Sequence, residues 1–208
     1  GGDLIKTLQI PETVEGAAQR IIDKQIRKCD VGVVTCRSGG EMNARYFINI
    51  ADAGFGATVV DNVRQSTKAL GPFFAYLTGL LRALTIHKNH PIRITVDDSF
   101  EAEGSMTAVV VANGQFFGGG MWIAPRARLD DGQFEVVIIG DITRTEFIAN
   151  VHKIYNGTLD SHPKVRYMQG RKILLHSDSR VGVEADGEQA GILPATFEIL
   201  PGKLNVLF

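Results

Sequence analysis

Apolar and polar positions along this chain follow two rhythms. Residues 11–27 repeat apolar side chains at helical spacing (Val14, Ala17, Ala18, Ile21, Ile22, Ile26), and Pro11-Glu12 suits a first turn. The run 59–84 predicts helix in two pieces, because Gly71-Pro72 interrupts it, and a further helix is predicted near 143–156. Elsewhere the period is two. Residues 30–36 and 45–56 read as strands, and 92–98 alternates cleanly. Residues 106–114 form a continuous apolar run, which predicts a strand buried on both faces. Further strands are predicted near 133–141, 171–176, 180–185, 195–200 and 203–207. Many strands with few helices predict a mainly β fold with helices, a large antiparallel sandwich or barrel with helical decoration.

Composition narrows the class. With 44% hydrophobic and 22% charged residues in 208, the chain can bury a sizeable core and is not a disordered segment. A net charge of −1 argues against a nucleic-acid binder that needs a broad basic face. Cys29 and Cys36 match no common zinc or redox spacing and read as two reduced thiols of a cytosolic protein. No apolar run approaches the ~18–20 residues of a spanning helix. The chain opens on Gly1-Gly2-Asp3 without Met, which suggests a removed tag or missing upstream sequence.

Candidate chemistry concentrates in three places. The densest is "NGQFFGGGMWIAPRARLDDGQF", Asn113 to Phe134. Three successive glycines (Gly118, Gly119, Gly120) cost conformational entropy, so something should require them. Backbone N–H groups presented to a phosphate and a sharp corner are both open readings. Asp130-Asp131-Gly132 reads as a turn, or as a hard-cation site built from one carboxylate, backbone carbonyls and water. "VGVEADGEQAG" (181–191) places Asp186-Gly187-Glu188 between strand-like runs, where it serves as a hairpin turn or mounts catalytic carboxylates. His87 and His90, flanked by Lys88 and Arg93, read as a solvated basic edge rather than a ligand set.

Taken together, the glycine and Asp-Asp-Gly block followed some fifty residues later by "VEADGE" resembles the C-terminal domain of the diacylglycerol kinase catalytic-domain family. That family includes bacterial soluble lipid kinases and is related to the sphingosine and ceramide kinases. "YFINIADAGFG" (46–56) and "PATFEILPGKLNVL" (194–207) carry the same resemblance, and "GGDLIKTLQIP" (1–11) resembles the tail of a motif in the preceding nucleotide domain. The resemblance implies a two-domain plan of the NAD-kinase and diacylglycerol-kinase type. Residues 1–28 would be the tail of an N-terminal nucleotide-binding domain plus a connecting helix. Residues 29–197 would be the β-sandwich, and 198–208 a final strand returning toward the first domain. The Gly-Gly-Asp-Gly-Thr loop that would bind ATP phosphates does not occur in these 208 residues.

The same resemblance assigns roles. Asp186 would be the general base that takes a proton from a lipid hydroxyl attacking the γ-phosphate of ATP. Glu188 would share its face if the segment stays extended, and would orient the site or help hold catalytic Mg²⁺. A structural Mg²⁺ would be held by the Asp131 carboxylate and the backbone carbonyls of Arg128 and Gln133. Phe116, Phe117, Gly118, Gly119, Gly120 and Met121, with Trp122 and the 73–86 helix, would wall the lipid cleft. The expected partners are a lipid substrate and the membrane surface, for a cytoplasmic protein peripheral at the membrane. Apolar surface facing the missing domain would favour homo-oligomers. The chain alone would be inactive. Competing readings are an NAD-kinase-like enzyme with a non-lipid substrate and a non-enzymatic β-sandwich module.

Overall fold

The computed structural model describes residues 2–65 and 72–207. Helices α1 (Gly2–Leu8) and α2 (Val14–Asp23) precede strands β1 (Ile26–Ser38), β2 (Glu41–Phe47) and β3 (Ile50–Gly54). Helices α3 (Phe55–Gln65) and α4 (Pro72–Ile86) follow, then β4 (His90–Val96), β5 (Phe100–Ala112), the short pair β6 (Phe116–Phe117) and β7 (Met121–Trp122), and β8 (Phe134–Gly140). Helix α5 (Arg144–Tyr155) and a 3₁₀ turn (Leu159–Ser161) lead to β9 (Val165–Gly170), β10 (Lys172–His176), β11 (Gly182–Ala185) and β12 (Glu188–Leu207).

Every strand pairing among the described residues is antiparallel. The main sheet runs β10-β4-β5-β3-β11-β12-β1-β2, and β10 also pairs with β12. That extra ladder closes β10, β4, β5, β3, β11 and β12 into a barrel-like ring, while β8 and β9 extend the sheet from β5. The mainly β, antiparallel, sandwich-like architecture is the one expected from the sequence.

The apolar run of β5 explains why the fold has two cores. Val109 and Val111 point into the larger one with Val34, Phe47, Ile94 and Phe197. Val110 and Ala112 point into the other, with Ile50, Val137 and Ile154 under α5. A strand with side chains alternating between two dry faces has no polar side to show. Phe47 stacks on Phe134 at 5.6 Å between ring centroids, tying β2 to β8 inside the larger core. Thr143 and Glu146 form a reciprocal capping box that starts α5.

Several boundaries differ from the sequence reading. The segment 45–56 is two strands with a corner at Ile48-Asn49, and α3 already begins at Phe55. The stretches 195–200 and 203–207 belong to one long strand, β12, whose pairing with β1 shifts register between Cys29 and Val31. Strand β9 had no counterpart in the sequence reading. Gly71 of the expected break lies outside the described residues. Cys29 and Cys36 are buried and unpaired, as two free thiols. On α2 no residue is buried, and Val14 is 81% exposed. Among the described residues no helix is long and apolar enough to cross a membrane.

Candidate functional site

Asp186 sits at a positive φ of 52°, with Gly187 following at 80°. This left-handed turn aims the Asp186 carboxylate at the β2–β3 corner. There Oδ2 accepts the Ile48 N–H at 2.8 Å, and Oδ1 accepts those of Asn49 and Ile50 at 3.0 and 3.1 Å. In return the Asp186 N–H donates to the Ile50 carbonyl at 2.9 Å. The corner that interrupts the expected strand is therefore held by Asp186. Turn residue and fixed carboxylate turn out to be one arrangement.

Asp186 and Gly187 lie at the rim of a pocket of about 420 Å³. Val59, Val60, Val110, Phe117, Met121 and Ile139 supply much of its apolar wall, and Leu80 of α4 joins them. Of the cleft residues expected from sequence, Phe117, Gly118 and Met121 line this pocket. Phe116 instead stacks on Trp122 at 5.5 Å, and neither is among the pocket's lining residues. Gly119 and Gly120 also stand outside the lining.

Two further carboxylates line the pocket, and neither was singled out from sequence. Asp52 on β3 and Glu184 on β11 are direct cross-strand partners and are 1% and 4% exposed. Asp52 Oδ1 accepts the Ala57 N–H at 3.0 Å, so a strand residue caps the first turn of α3. A Cβ on Gly56 would collide with the Asp52 carboxylate, which is why glycine stands there. Glu184 Oε2 accepts the Gly187 N–H at 2.8 Å and so braces the turn that carries Asp186. Burial pushes the Asp52 carboxyl up to about 7 against the pull of the Ala57 and Gly56 N–H groups. Glu184 is also pushed well up, by burial and then by the Asp52 charge.

The triple glycine meets a backbone demand: Gly118, Gly119 and Gly120 have φ values of 57°, 85° and 102°. The loop ties down α1, because the Gly119 N–H donates to Asp3 Oδ2 at 2.9 Å. The Asp-Asp-Gly turn is anchored by Asp30, another residue not singled out from sequence. Asp30 is 2% exposed, and its carboxylate accepts the N–H groups of Gly132 and Gly202, each at 2.7 Å. Asp130 turns outward to Arg27 at 2.8 Å. Asp131 Oδ1 accepts the Gln133 N–H at 3.0 Å, and Arg128 is exposed. Among the described residues no three His, Cys, Asp or Glu side chains converge as a metal cluster.

Glu188 is not beside Asp186. The left-handed turn breaks the extended backbone that would have put them on one face, and Glu188 pairs with Arg45 of β2 at 2.6 Å. The expected solvated histidine edge is also corrected. His87 packs edge-on against Phe55 at 5.2 Å, its Nδ1 lies 3.1 Å from Thr58 Oγ1, and burial lowers it to about 4. It is therefore neutral at physiological pH.

The fold is that of the β-sandwich-like C-terminal half of NAD-kinase-type proteins. Residues 49–208 match the family described as the YegS C-terminal NAD kinase beta sandwich-like domain, and the chain belongs to it. The resemblance carried by the glycine block and the Asp186 turn thus holds. The diacylglycerol kinase of Staphylococcus epidermidis is 32% identical over 206 residues, covering 98% of this chain and 62% of that protein. That of Staphylococcus haemolyticus is 31% identical, covering 98% and 59%. A crystal structure of a diacylglycerol kinase from Bacillus anthracis superposes with a TM-score of 0.68 at 18% identity, covering 99% of this chain and 62% of that one. The chain thus spans less than two thirds of the length of these relatives.

Proposed function

We propose that this chain is the substrate-binding half of an ATP-dependent lipid kinase, with Asp186 as general base. The carrying observation is an apolar pocket of about 420 Å³ with a backbone-fixed carboxylate at its rim. An acyl chain fits such walls, and its hydroxyl end would lie at Asp186. Asp186 Oδ2 accepts a single backbone N–H and keeps a lone pair for the lipid O–H. As the hydroxyl oxygen forms its bond to the γ-phosphorus of ATP, the bond from phosphorus to the ADP oxygen breaks and the proton passes to Asp186. Three N–H donors hold the carboxylate in place, so no reorientation is needed during transfer. ATP would be held mainly by a domain outside this chain, so the isolated chain would be inactive. The apolar lining disfavours a dinucleotide substrate of the NAD-kinase kind.

A structural Mg²⁺ is part of the same reading. The donors at the Asp-Asp-Gly turn are oxygens, which suit a hard cation: the Asp131 carboxylate and the carbonyls of Arg128 and Gln133. Nearby Glu135 is 3% exposed and leaves Oε2 without a hydrogen-bond partner, so the region has unspent oxygen acceptors. When bound, the ion would stiffen the turn beneath the glycine loop. Peripheral attachment to a membrane would deliver the lipid, and the uncovered apolar face of α2 would pack against a partner domain or a second copy.

The test is lipid phosphorylation by the full-length protein carrying Asp186→Asn. Loss of general-base catalysis should lower kcat by at least ~10²-fold with the fold intact. Unchanged turnover would remove Asp186 from the mechanism.

A further inference from the structure

The pocket beside Asp186 has a defined far end, and strand β3 measures the distance to it. The Asp186 N–H is bonded to the carbonyl of Ile50, the first residue of β3, and Phe55 follows the last. From Ile50 to Phe55 the backbone advances ~16 Å at the ~3.3 Å rise of a strand residue. At that end Phe55 lines the pocket together with Phe147 of α5 and Thr107, which lies one residue beyond the Gly54–Ala108 pair of β3 and β5. Among the described residues, these three are the ones the pocket shares with a second cavity of about 170 Å³. The second cavity is different in character. Besides Leu84 and Ile142 it is lined by His87, Asn89, Thr143 and Arg144. His87 Nε2 is buried and has no hydrogen-bond partner among the described residues. Phe55 and Phe147 thus divide an apolar chamber from a polar one.

This partition is held from behind. The two rings lie 5.2 Å apart between centroids, and His87 meets Phe55 edge-on from the far side. Phe147 is the fourth residue of α5 and Ile142 stands just before the Thr143 cap, the two positions of a hydrophobic staple. The Thr107 hydroxyl accepts the Ile142 N–H at 3.2 Å and donates to the Gly140 carbonyl at 2.8 Å. Its polar atom is therefore engaged with the lead-in to α5. A chain that pushed past the rings would disturb a capped helix start and place methylenes among polar groups, and both are costly.

We propose that Phe55 and Phe147 set the chain length of the lipid: a straight alkyl chain whose hydroxyl lies at Asp186 runs along β3 and ends against the two rings. This rests on the lipid-kinase reading and adds a length limit to it. An extended chain advances ~1.3 Å per carbon, the zigzag projection of a ~1.5 Å bond, so ~16 Å corresponds to about twelve carbons. Phe55 and Phe147 are then specificity residues far from the transferred phosphate, and the base is unaffected by them.

A series of straight 1-alkanols from octanol to tetradecanol, each below its solubility limit, tests the limit on this chain. Binding is read by displacement of the dye Nile red. Affinity should rise about fourfold per added carbon and stop rising near dodecanol. Phe147→Ala vacates the space of the ring and should move the break outward by about two carbons, with octanol affinity little changed. Should Phe147→Ala fail to fold, Phe147→Leu removes less volume and should move the break by about one carbon. A break that stays in place in the folded variants overturns the role of the rings. Affinity that keeps rising through tetradecanol in the unaltered chain overturns the length limit and leaves the lipid pocket standing. Failure of every alkanol to bind overturns the lipid pocket itself.

Discussion

Asp52→Asn is the substitution whose effect the structure defines most closely. The carboxyl is fully buried, and burial raises it from the ordinary 3.8 to about 7. The folded chain therefore holds this proton more tightly than the unfolded chain does. Well below about pH 4 both forms are protonated and the group contributes nothing; as pH climbs from about 4 to about 7 the folded state alone resists ionisation and stability falls, and above about 7 both forms are ionised and the loss is complete. The rise corresponds to ~4 kcal/mol, a large share of the ~5–15 kcal/mol that holds a domain together. Asparagine has no proton to lose, and its oxygen can still accept the Ala57 N–H. The variant should match the wild-type chain to within ~1 kcal/mol near about pH 4 and exceed it by a few kcal/mol near about pH 9. Glu184, raised in the same sense, leaves a residual slope in the variant. Urea midpoints across that range measure the effect. If wild type and variant lose stability in parallel, or the variant is weaker by a constant amount, the argument from burial is refuted.

Three other outcomes follow from the site's supports. Asp30→Ala orphans the Gly132 and Gly202 N–H groups and should cost ~2–4 kcal/mol in a denaturant melt, where a loss under ~0.5 kcal/mol would contradict the anchoring role. Gly119→Ala meets no neighbouring atom, so its cost is backbone strain alone at φ 85°, ~1–2 kcal/mol by urea unfolding; no change would show that the loop relaxes freely. Mg²⁺ at about a hundredfold excess over its Kd should stabilise the chain by ~2.7 kcal/mol, seen as a higher Tm, and Asp131→Asn should abolish the gain; a Tm indifferent to Mg²⁺ removes the ion from this turn.

Much of the fold was legible because burial imposes period on sequence. The unbroken run of β5 announced a strand dry on both faces, and the alternation at 92–98 gave β4. What escaped was set by distant contacts. Nothing local in "YFINIADAGFG" marks a corner at Ile48-Asn49, because the carboxylate that holds it comes from residue 186. Strand β9, "VRYMQG", has no clean alternation, since only Val165 and Gly170 at its ends are buried. Pro201-Gly202 reads as a stop, yet β12 runs through it beside β1. The site was legible at Asp186 and Phe117, where turn chemistry and aromatics stand out. Asp52 and Glu184 were passed over because each is a single acid in an apolar strand; the signal available was that such an acid has no polar face to turn toward. Glu188 misled because an extended backbone was assumed where two successive residues adopt positive φ.

Strand β12 has a consequence for how the molecule is made. It pairs with β1, β10 and β11, and its partners on β1 run from Ile26, opposite Leu207, to Arg37, opposite Ile192. On a ribosome, β1 emerges well before β12 and waits for its neighbour while all the intervening strands and helices are synthesised. Ring closure thus waits for β12, and such non-local pairing is slow. Until then β1 has only β2 beside it, and its other edge is open to any strand that reaches it first. Nascent chains stalled before residue 188 should therefore depend on chaperones in a way that the finished protein does not.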